Sequence, residues 1–158
     1  MATGDGRENR LKNFLNQEQI ANNFDIIVID TPPTPSIWMT SALIASDYYL
    51  IPVKPDPISF TGIDLLRGII NYKKENYSLK IECLGVVLTM TEDNLVYRQA
   101  ISFLNSSTYW KPLKFNGEIL KRTAVAREQL QGVFILDLAD EVNKINLTKI
   151  TGEILKKI

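Results

Sequence analysis

The most informative stretch of the sequence is Phe24-Asp-Ile-Ile-Val-Ile-Asp-Thr-Pro-Pro33. Its four central residues, Ile26 to Ile29, are all β-branched, which predicts a strand that is buried on both faces. Asp30 ends the run, and the two prolines that follow exclude a helix and keep the chain extended. An acid at the carboxyl end of a buried parallel strand lies where open α/β sheets bind ligands, and its carboxylate suits a hydrated magnesium ion. The plainer alternative is an aspartate that only caps the next turn.

The composition excludes several classes of protein. A chain of 158 residues predicts one domain with a sizeable core. The 18 basic and 18 acidic residues cancel, so that binding to nucleic acid would have to come from a local patch. The absence of histidine and the single cysteine, Cys83, exclude histidine catalysis, a disulfide framework and the usual zinc sites. Because no apolar stretch reaches the length of a bilayer span, we expect a cytoplasmic protein.

Apolar runs alternate with amphipathic segments along the chain. We predict strands at 26–29, 48–53 and 84–90, and a short edge strand at 112–115. We predict helices at 7–21, 36–45 with Ser36 as the cap, 58–76 after an Asp56 cap, 92–106 after a Thr91 cap, 119–130 and 138–158. Strands separated by helices of this length indicate an α/β fold with a parallel sheet and flanking helices.

Five segments of the sequence together resemble the ParA/MinD/Soj family of deviant Walker-type ATPases, which act in DNA segregation and cell division. They occur in the family's order, and this order is more specific than any one segment. The segments are Phe24–Pro33, Ala42–Asp47 with Leu50–Val53, Phe60-x-Gly62, Gly85–Met90 and Arg122–Phe134.

The resemblance implies an incomplete fold of the P-loop NTPase type. The family's glycine-rich, lysine-bearing phosphate loop does not occur in these residues, and neither do the strands expected before residue 7. We therefore expect the C-terminal portion of a family member, with a flexible leader or expression remnant at 1–6 and one domain at 7–158. An isolated portion of this kind is not expected to bind ATP tightly or to hydrolyse it, so that its enzyme status stays open.

The resemblance also assigns cofactor-binding residues, but no catalytic residue. Asp30 corresponds to the Walker B acid, which would hold Mg²⁺ through water while ATP is bound. The segment that follows corresponds to the γ-phosphate sensor, and the end of the strand at 84–90 corresponds to the start of the adenine pocket. The complete set is Asp30, Thr31, Pro32, Pro33, Thr89 and Met90. A proline-stiffened loop and a simple strand terminus are the plainer alternatives.

Basic residues in the second half resemble the family's non-specific DNA-binding residues. Lys121, Arg122 and Arg127 are the candidates, while a solvated basic face is the alternative, favoured for Lys111 and Lys114. The C-terminal helix has an apolar stripe flanked by lysines. We expect it to pack on the sheet rather than to lie on a membrane.

The expected function is that of a ParA-like ATPase for plasmid or chromosome partitioning. The resemblance implies an ATP–Mg-dependent homodimer, non-specific DNA binding, a ParB-like stimulating protein and a place on the nucleoid, with no membrane partner. Two alternatives stay open: a degenerate, non-enzymatic module that binds a partner or DNA, and a MinD-like ATPase of the division site. An uncovered apolar sheet edge would also favour self-association.

Overall fold

The computed structural model describes residues 6–17, 19–32 and 34–158, without the side chains at 126 and 129. The chain forms two compact units. The first comprises Met1–Tyr49, from residue 6 as described, and Leu66–Glu82; the second comprises Leu50–Leu65 and Cys83–Ile158. The helix Pro57–Tyr77 contributes its first turns to the second unit and the rest to the first.

The elements confirm the α/β class, with a three-stranded sheet and helices around it. The strands are β1 (Tyr48–Val53), β2 (Glu82–Thr91) and β3 (Lys114–Leu120), in the order β1-β2-β3, and β2 and β3 are parallel. The helices are α1 (Arg10–Gln17), α2 (Ile37–Ala45), α3 (Pro57–Tyr77), α4 (Leu95–Ser106), α5 (Thr123–Gln129) and α6 (Glu141–Leu155). Short 3₁₀ turns occur at Arg7–Asn9, Ile20–Asn23, Lys111–Leu113 and Ile135–Asp137.

Local signals in the sequence predicted the starts of two helices correctly. The Ser36 hydroxyl accepts a hydrogen bond from the Met39 amide at 3.3 Å, which caps α2 as expected. Asp56 caps α3 in the same way, through the Ser59 amide at 2.8 Å, and Pro57 occupies the first helical position. The bond from the Ser59 amide lowers the pKa of Asp56.

The predicted central strand is wrong. Residues 24–30 form no ladder in the described part of the chain, and most of their side chains are exposed, with Val28 at 88%. In the described part of the chain the sheet consists of β1, β2 and β3. The β-branched residues of this stretch therefore have no neighbouring strand there against which to pack. Phe24–Asp30 is referred to below as the open segment.

The third strand of the sheet is β3 (Lys114–Leu120), in place of the predicted short edge strand at 112–115 and the start of the helix predicted from 119. Pairing with β2 along Val86↔Lys114 and Thr91↔Leu120 overrides the local helical pattern, so that α5 begins only at Thr123. The predicted cap Thr91 is also wrong. It is the last residue of β2, and Asn94 caps α4 by accepting from the Tyr97 amide at 2.9 Å.

Helix α6 packs on β3, as expected for the C-terminal helix. Ile150 is buried in a core with Leu84, Val87 and Phe115, and Ile154 packs against the same core. The Lys157 ammonium group donates to the Leu84 carbonyl oxygen at 2.6 Å. These contacts hold the end of the chain against the sheet.

Side chains of α6 also close the free side of β3. One carboxylate, that of Glu153, accepts from the Asn116 and Gly117 amides at 3.1–3.2 Å. Asn143 is 0% exposed; its amide oxygen accepts from Leu120 N at 2.7 Å and its amide nitrogen donates to Leu120 O at 3.1 Å. These groups take the place of a neighbouring strand, which is one way in which proteins protect a sheet edge.

Candidate functional site

Asp30 lies at the end of the open segment with an exposed side chain. Its carboxylate makes no hydrogen bond or ion pair with any residue that the structure describes. Thr31 and Pro32 follow without regular secondary structure and are exposed too, whereas Pro33 lies outside the described residues. An unpaired carboxylate beside a hydroxyl is a set of oxygen donors that fits a hydrated Mg²⁺ ion.

The described residues of this region do not by themselves supply a complete set of metal ligands. Among the residues that the structure describes, no three acidic, cysteine or histidine side chains come together as metal ligands. A single carboxylate suits Mg²⁺ that keeps several waters and takes its other ligands from substrate phosphates. The donor set therefore fits the sequence-predicted role of Asp30.

The carboxyl end of β2 has an unusual backbone at Met90. Its φ is +54°, in the left-handed region that non-glycine residues seldom adopt, and the register with β3 shifts between Leu88 and Thr91. Such a conformation costs on the order of 1–3 kcal/mol and is concentrated at functional sites. It leaves Met90 exposed beside the half-buried Thr89, where open α/β sheets bind ligands.

The ends of β2 and β3 bring two groups of sequence-predicted residues to one edge of the sheet. The Lys121 amide donates to the Thr91 carbonyl oxygen at 3.0 Å, and the Thr91 hydroxyl donates to the Ile119 carbonyl oxygen at 3.5 Å. Thr89 and Met90 therefore lie at the same edge as Lys121 and Arg122 within the second unit. Asp30, Thr31 and Pro32 belong to the first unit.

The three candidate DNA-binding residues are exposed, but each has an acidic partner. Lys121 pairs with Glu92 at 3.0 Å, Arg122 with Asp140 at 3.2 Å, and Arg127 with its neighbour Glu128 at 2.9 Å. Exposed ion pairs contribute only about 0–1 kcal/mol, so that a phosphate group could replace Glu92 as the partner of Lys121 at low cost. Asp140 and Glu128 are more buried, with side chains 16% and 24% exposed.

The pair of Arg122 and Asp140 belongs to a network that sequence reasoning missed. Asp140 caps α6 by accepting from the Asn143 amide at 3.2 Å, and the Asn143 side chain donates to the other Asp140 oxygen at 2.9 Å. The bond from the Asn143 amide and the Arg122 guanidinium lower the pKa of Asp140. Asp140 precedes an amphipathic run, and an aspartate in that position is a recognisable signal for a helix cap. Nothing local in the sequence indicates the role of Asn143.

Comparison with known proteins shows to which family the chain belongs. A family model described as an AAA domain matches residues 1–82. The sporulation initiation inhibitor protein Soj of Bacillus subtilis is 34% identical over 86 residues, which cover 54% of this chain and 33% of that protein.

Two solved structures share the fold. A putative plasmid partition protein of Borrelia burgdorferi, bound to AMPPNP, has a TM-score of 0.66 and 22% identity, with 89% of this chain and 55% of that chain covered. Apo McdA of Cyanthece has a TM-score of 0.79 and 18% identity, with 94% and 59% covered.

The chain spans about a third to a half of the length of the curated relatives that it matches. Within the described residues, no helix is long and apolar enough to cross a membrane. The family model covers the first half of the chain, which contains the open segment and Asp30. The chain belongs to this AAA-domain family, as a member of its ParA/MinD group of ATPases.

Proposed function

We propose that the chain is part of a ParA-like ATPase for plasmid or chromosome partitioning, and that Asp30 is its magnesium-site acid. The observation that carries the proposal is the exposed carboxylate of Asp30 at the end of the open segment, which has no partner among the described residues. A carboxylate without a protein partner is available for a hydrated cation. The relatives' partition and Soj names agree with this function.

In this proposal the whole protein binds ATP and Mg²⁺, and two groups of residues on this chain contribute to that binding. Asp30 holds the ion through water, and Thr31, Pro32 and Pro33 approach the γ-phosphate. Thr89 and Met90 lie against the adenine ring, which the exposed, left-handed Met90 supports. Bound Mg²⁺ neutralises charge on the β- and γ-phosphates. The 158-residue chain alone is proposed not to hydrolyse ATP.

The proposed partners are a second copy of the protein, DNA and a ParB-like stimulating protein. Dimerisation would depend on ATP and Mg²⁺. Lys121, Arg122 and Arg127 would contact DNA phosphates without regard to sequence, which places the protein on the nucleoid in the cytoplasm. The exposure of the three side chains supports this role. Contacts to phosphates release counterions from DNA, so that binding is expected to weaken as salt rises.

The test compares Asp30→Asn with Asp25→Asn in the natural gene product. Asp25 is an exposed acid in the same open segment, so that it controls for the loss of one charge. We expect Asp30→Asn to lower magnesium-dependent ATP hydrolysis at least tenfold, and Asp25→Asn to change it less than twofold. Hydrolysis at the wild-type rate by the Asp30 variant would show that the assignment is wrong.

A degenerate, non-enzymatic binding module is the second candidate, favoured by the lack of a glycine-rich lysine loop among these 158 residues. Calorimetry of ATP with Mg²⁺ and the natural gene product distinguishes the two, because tight, magnesium-dependent binding excludes this candidate. A MinD-like membrane role has less support, since Ile150, Ile154 and Lys157 of the C-terminal segment contact the core of the second unit.

A further inference from the structure

A chemically labile pair of residues, Asn116–Gly117, lies in the edge strand β3. It is the only place in the sequence where glycine follows asparagine. An asparagine in this position is open to deamidation, because the glycine nitrogen can attack the side-chain carbonyl carbon without hindrance from a Cβ atom. Asn116 is exposed, whereas Gly117 is buried against α6. The pair therefore combines a reactive sequence with an environment that α6 controls.

The carboxylate of Glu153 on α6 holds both residues of the pair. Its Oε1 accepts from the Asn116 amide at 3.1 Å and from the Gly117 amide at 3.2 Å, and its Oε2 accepts from Asn116 Nδ2 at 3.1 Å. The nucleophile of the reaction, the Gly117 nitrogen, and the leaving group, Asn116 Nδ2, are thus bonded to one carboxylate. A negative charge beside the Gly117 N–H opposes its deprotonation. The ladder with β2 also limits the backbone rotation that brings the two reacting atoms together.

We propose that Asn116–Gly117 is a deamidation site that α6 protects, and that the reaction keeps α6 from closing over β3 again. In the first step the Gly117 nitrogen forms a bond to Asn116 Cγ, and the bond from Cγ to Nδ2 breaks. The Gly117 amide proton leaves with Nδ2 as ammonia. Water then opens the cyclic imide and leaves aspartate or isoaspartate at position 116. The net change consumes water and releases ammonia, with no oxidant or reductant.

The product cannot restore the contacts of the asparagine. The group that donated to Glu153 Oε2 at 3.1 Å becomes a carboxylate, which has no proton to donate and repels Glu153. Isoaspartate also adds a carbon atom to the backbone of β3, which disturbs its register with β2. Neither ATP nor DNA takes part, so that the inference goes beyond the proposed function and does not depend on it.

The experiment incubates the 158-residue chain at neutral pH, folded or in guanidinium chloride, and follows deamidation by peptide mass spectrometry that separates aspartate from isoaspartate. In denaturant we expect Asn116 to be the first asparagine to react. We expect it to react about tenfold or more slowly in the folded chain, because only molecules in which α6 has opened can react. Equal rates in the two states would overturn the proposal, and so would earlier modification of another asparagine in denaturant.

Variants of α6 test the protective role of Glu153. Glu153→Ala removes the acceptor for both residues of the pair, and we expect deamidation of the folded chain to become about tenfold faster. Glu141→Ala removes an exposed acid from the first turn of the same helix and should leave the rate unchanged. Glu153→Gln retains an accepting oxygen, so that it should give an intermediate rate even where Glu153→Ala fails to fold. A wild-type rate in either Glu153 variant would overturn the proposal.

A further pair of variants tests the consequence of the reaction. Asn116→Asp carries the charge of the product, whereas Asn116→Ser removes the side-chain amide without adding a charge. We expect Asn116→Asp to have the lower urea midpoint and the faster amide exchange at Gly117, because its carboxylate repels Glu153. Equal midpoints and exchange rates in the two variants would overturn the proposal that the reaction opens the edge of β3.

Discussion

Strand β3 and the open segment Phe24–Asp30 both contain several apolar residues, but of the two only β3 belongs to a ladder in the described part of the chain. On one side β3 pairs with β2, and on the other side Glu153 and Asn143 of α6 accept its free amides. The open segment has neither a ladder nor a covering helix among the described residues, and Val28 is 88% exposed.

The difference shows what makes a strand in this chain. The open segment has the stronger β propensity, since four β-branched residues follow each other, whereas β3 contains Asn116, Gly117 and Glu118. Whether a stretch becomes a strand is decided by the groups with which its backbone pairs. Gly117 lets α6 approach so closely that a Cβ there would lie 2.6 Å from Ile150 Cγ1 and 2.9 Å from the Asn146 carbonyl oxygen. Closure of the β3 edge is therefore specific to these residues.

The largest effect is expected for Asn143→Ala. The change removes a fully buried side chain and leaves both backbone groups of the half-buried Leu120 without their partner, which should lower the free energy of unfolding by about 2–4 kcal/mol. Urea denaturation followed by circular dichroism measures it. Asn146→Ala, on the same helix, should cost less than about 0.5 kcal/mol. Equal losses in the two variants would contradict edge closure by Asn143.

Gly117→Ala should lower the free energy of unfolding by about 1–3 kcal/mol, because the new methyl group forces α6 away from β3. The same denaturation experiment checks it. Gly152→Ala provides the control, since a Cβ at that helical position meets nothing within 4 Å. There the alanine should stabilise by up to about 1 kcal/mol. A neutral Gly117 variant would mean that α6 does not cover β3 closely.

A smaller effect on stability is expected at acidic pH, through Asp140. The lowered pKa of Asp140 means that its contribution to stability is complete above the ordinary aspartate pKa of about 4 and is lost as pH falls through the folded-state value. Asp140→Asn should therefore flatten the fall in melting temperature below about pH 4. Thermal unfolding between pH 3 and 7 would detect this. An identical acid profile in the variant would contradict the assigned cause.

The smallest effect is expected in the open segment. Val28→Thr should change the free energy of unfolding by less than about 0.5 kcal/mol, because the side chain is exposed. Val87→Thr makes the same change at a residue that is 4% exposed in β2, and should cost about 1–3 kcal/mol by burying a hydroxyl. A loss at Val28 comparable to that at Val87 would show that the open segment is packed.

Features that depend on neighbouring residues were predictable from the sequence. The caps at Ser36 and Asp56, the helices α2 and α3, and the strands β1 and β2 all follow from short-range patterns. The open segment and β3 were predicted wrongly because a strand needs a partner distant in sequence, and no local pattern shows whether the partner is there.

The candidate site divides in the same way. Asp30 stands out in the sequence because it ends an apolar run and is followed by a threonine and two prolines. The left-handed backbone of Met90, by contrast, has no local signal. Asn143 could not be recognised either, because its role depends on the end of β3, 23 residues away in sequence.

Amide hydrogen exchange along the chain, resolved by residue, tests the central contrast most directly. We predict slow exchange at Gly117 and Leu120, whose amides donate to Glu153 and Asn143. We predict fast exchange throughout Ile26–Ile29, whose amides have no ladder partner in the part of the chain that the structure describes. Asn143→Ala should speed exchange at Leu120 and leave Ile26–Ile29 unchanged. Slow exchange in Ile26–Ile29, at the level of β3, would contradict the account.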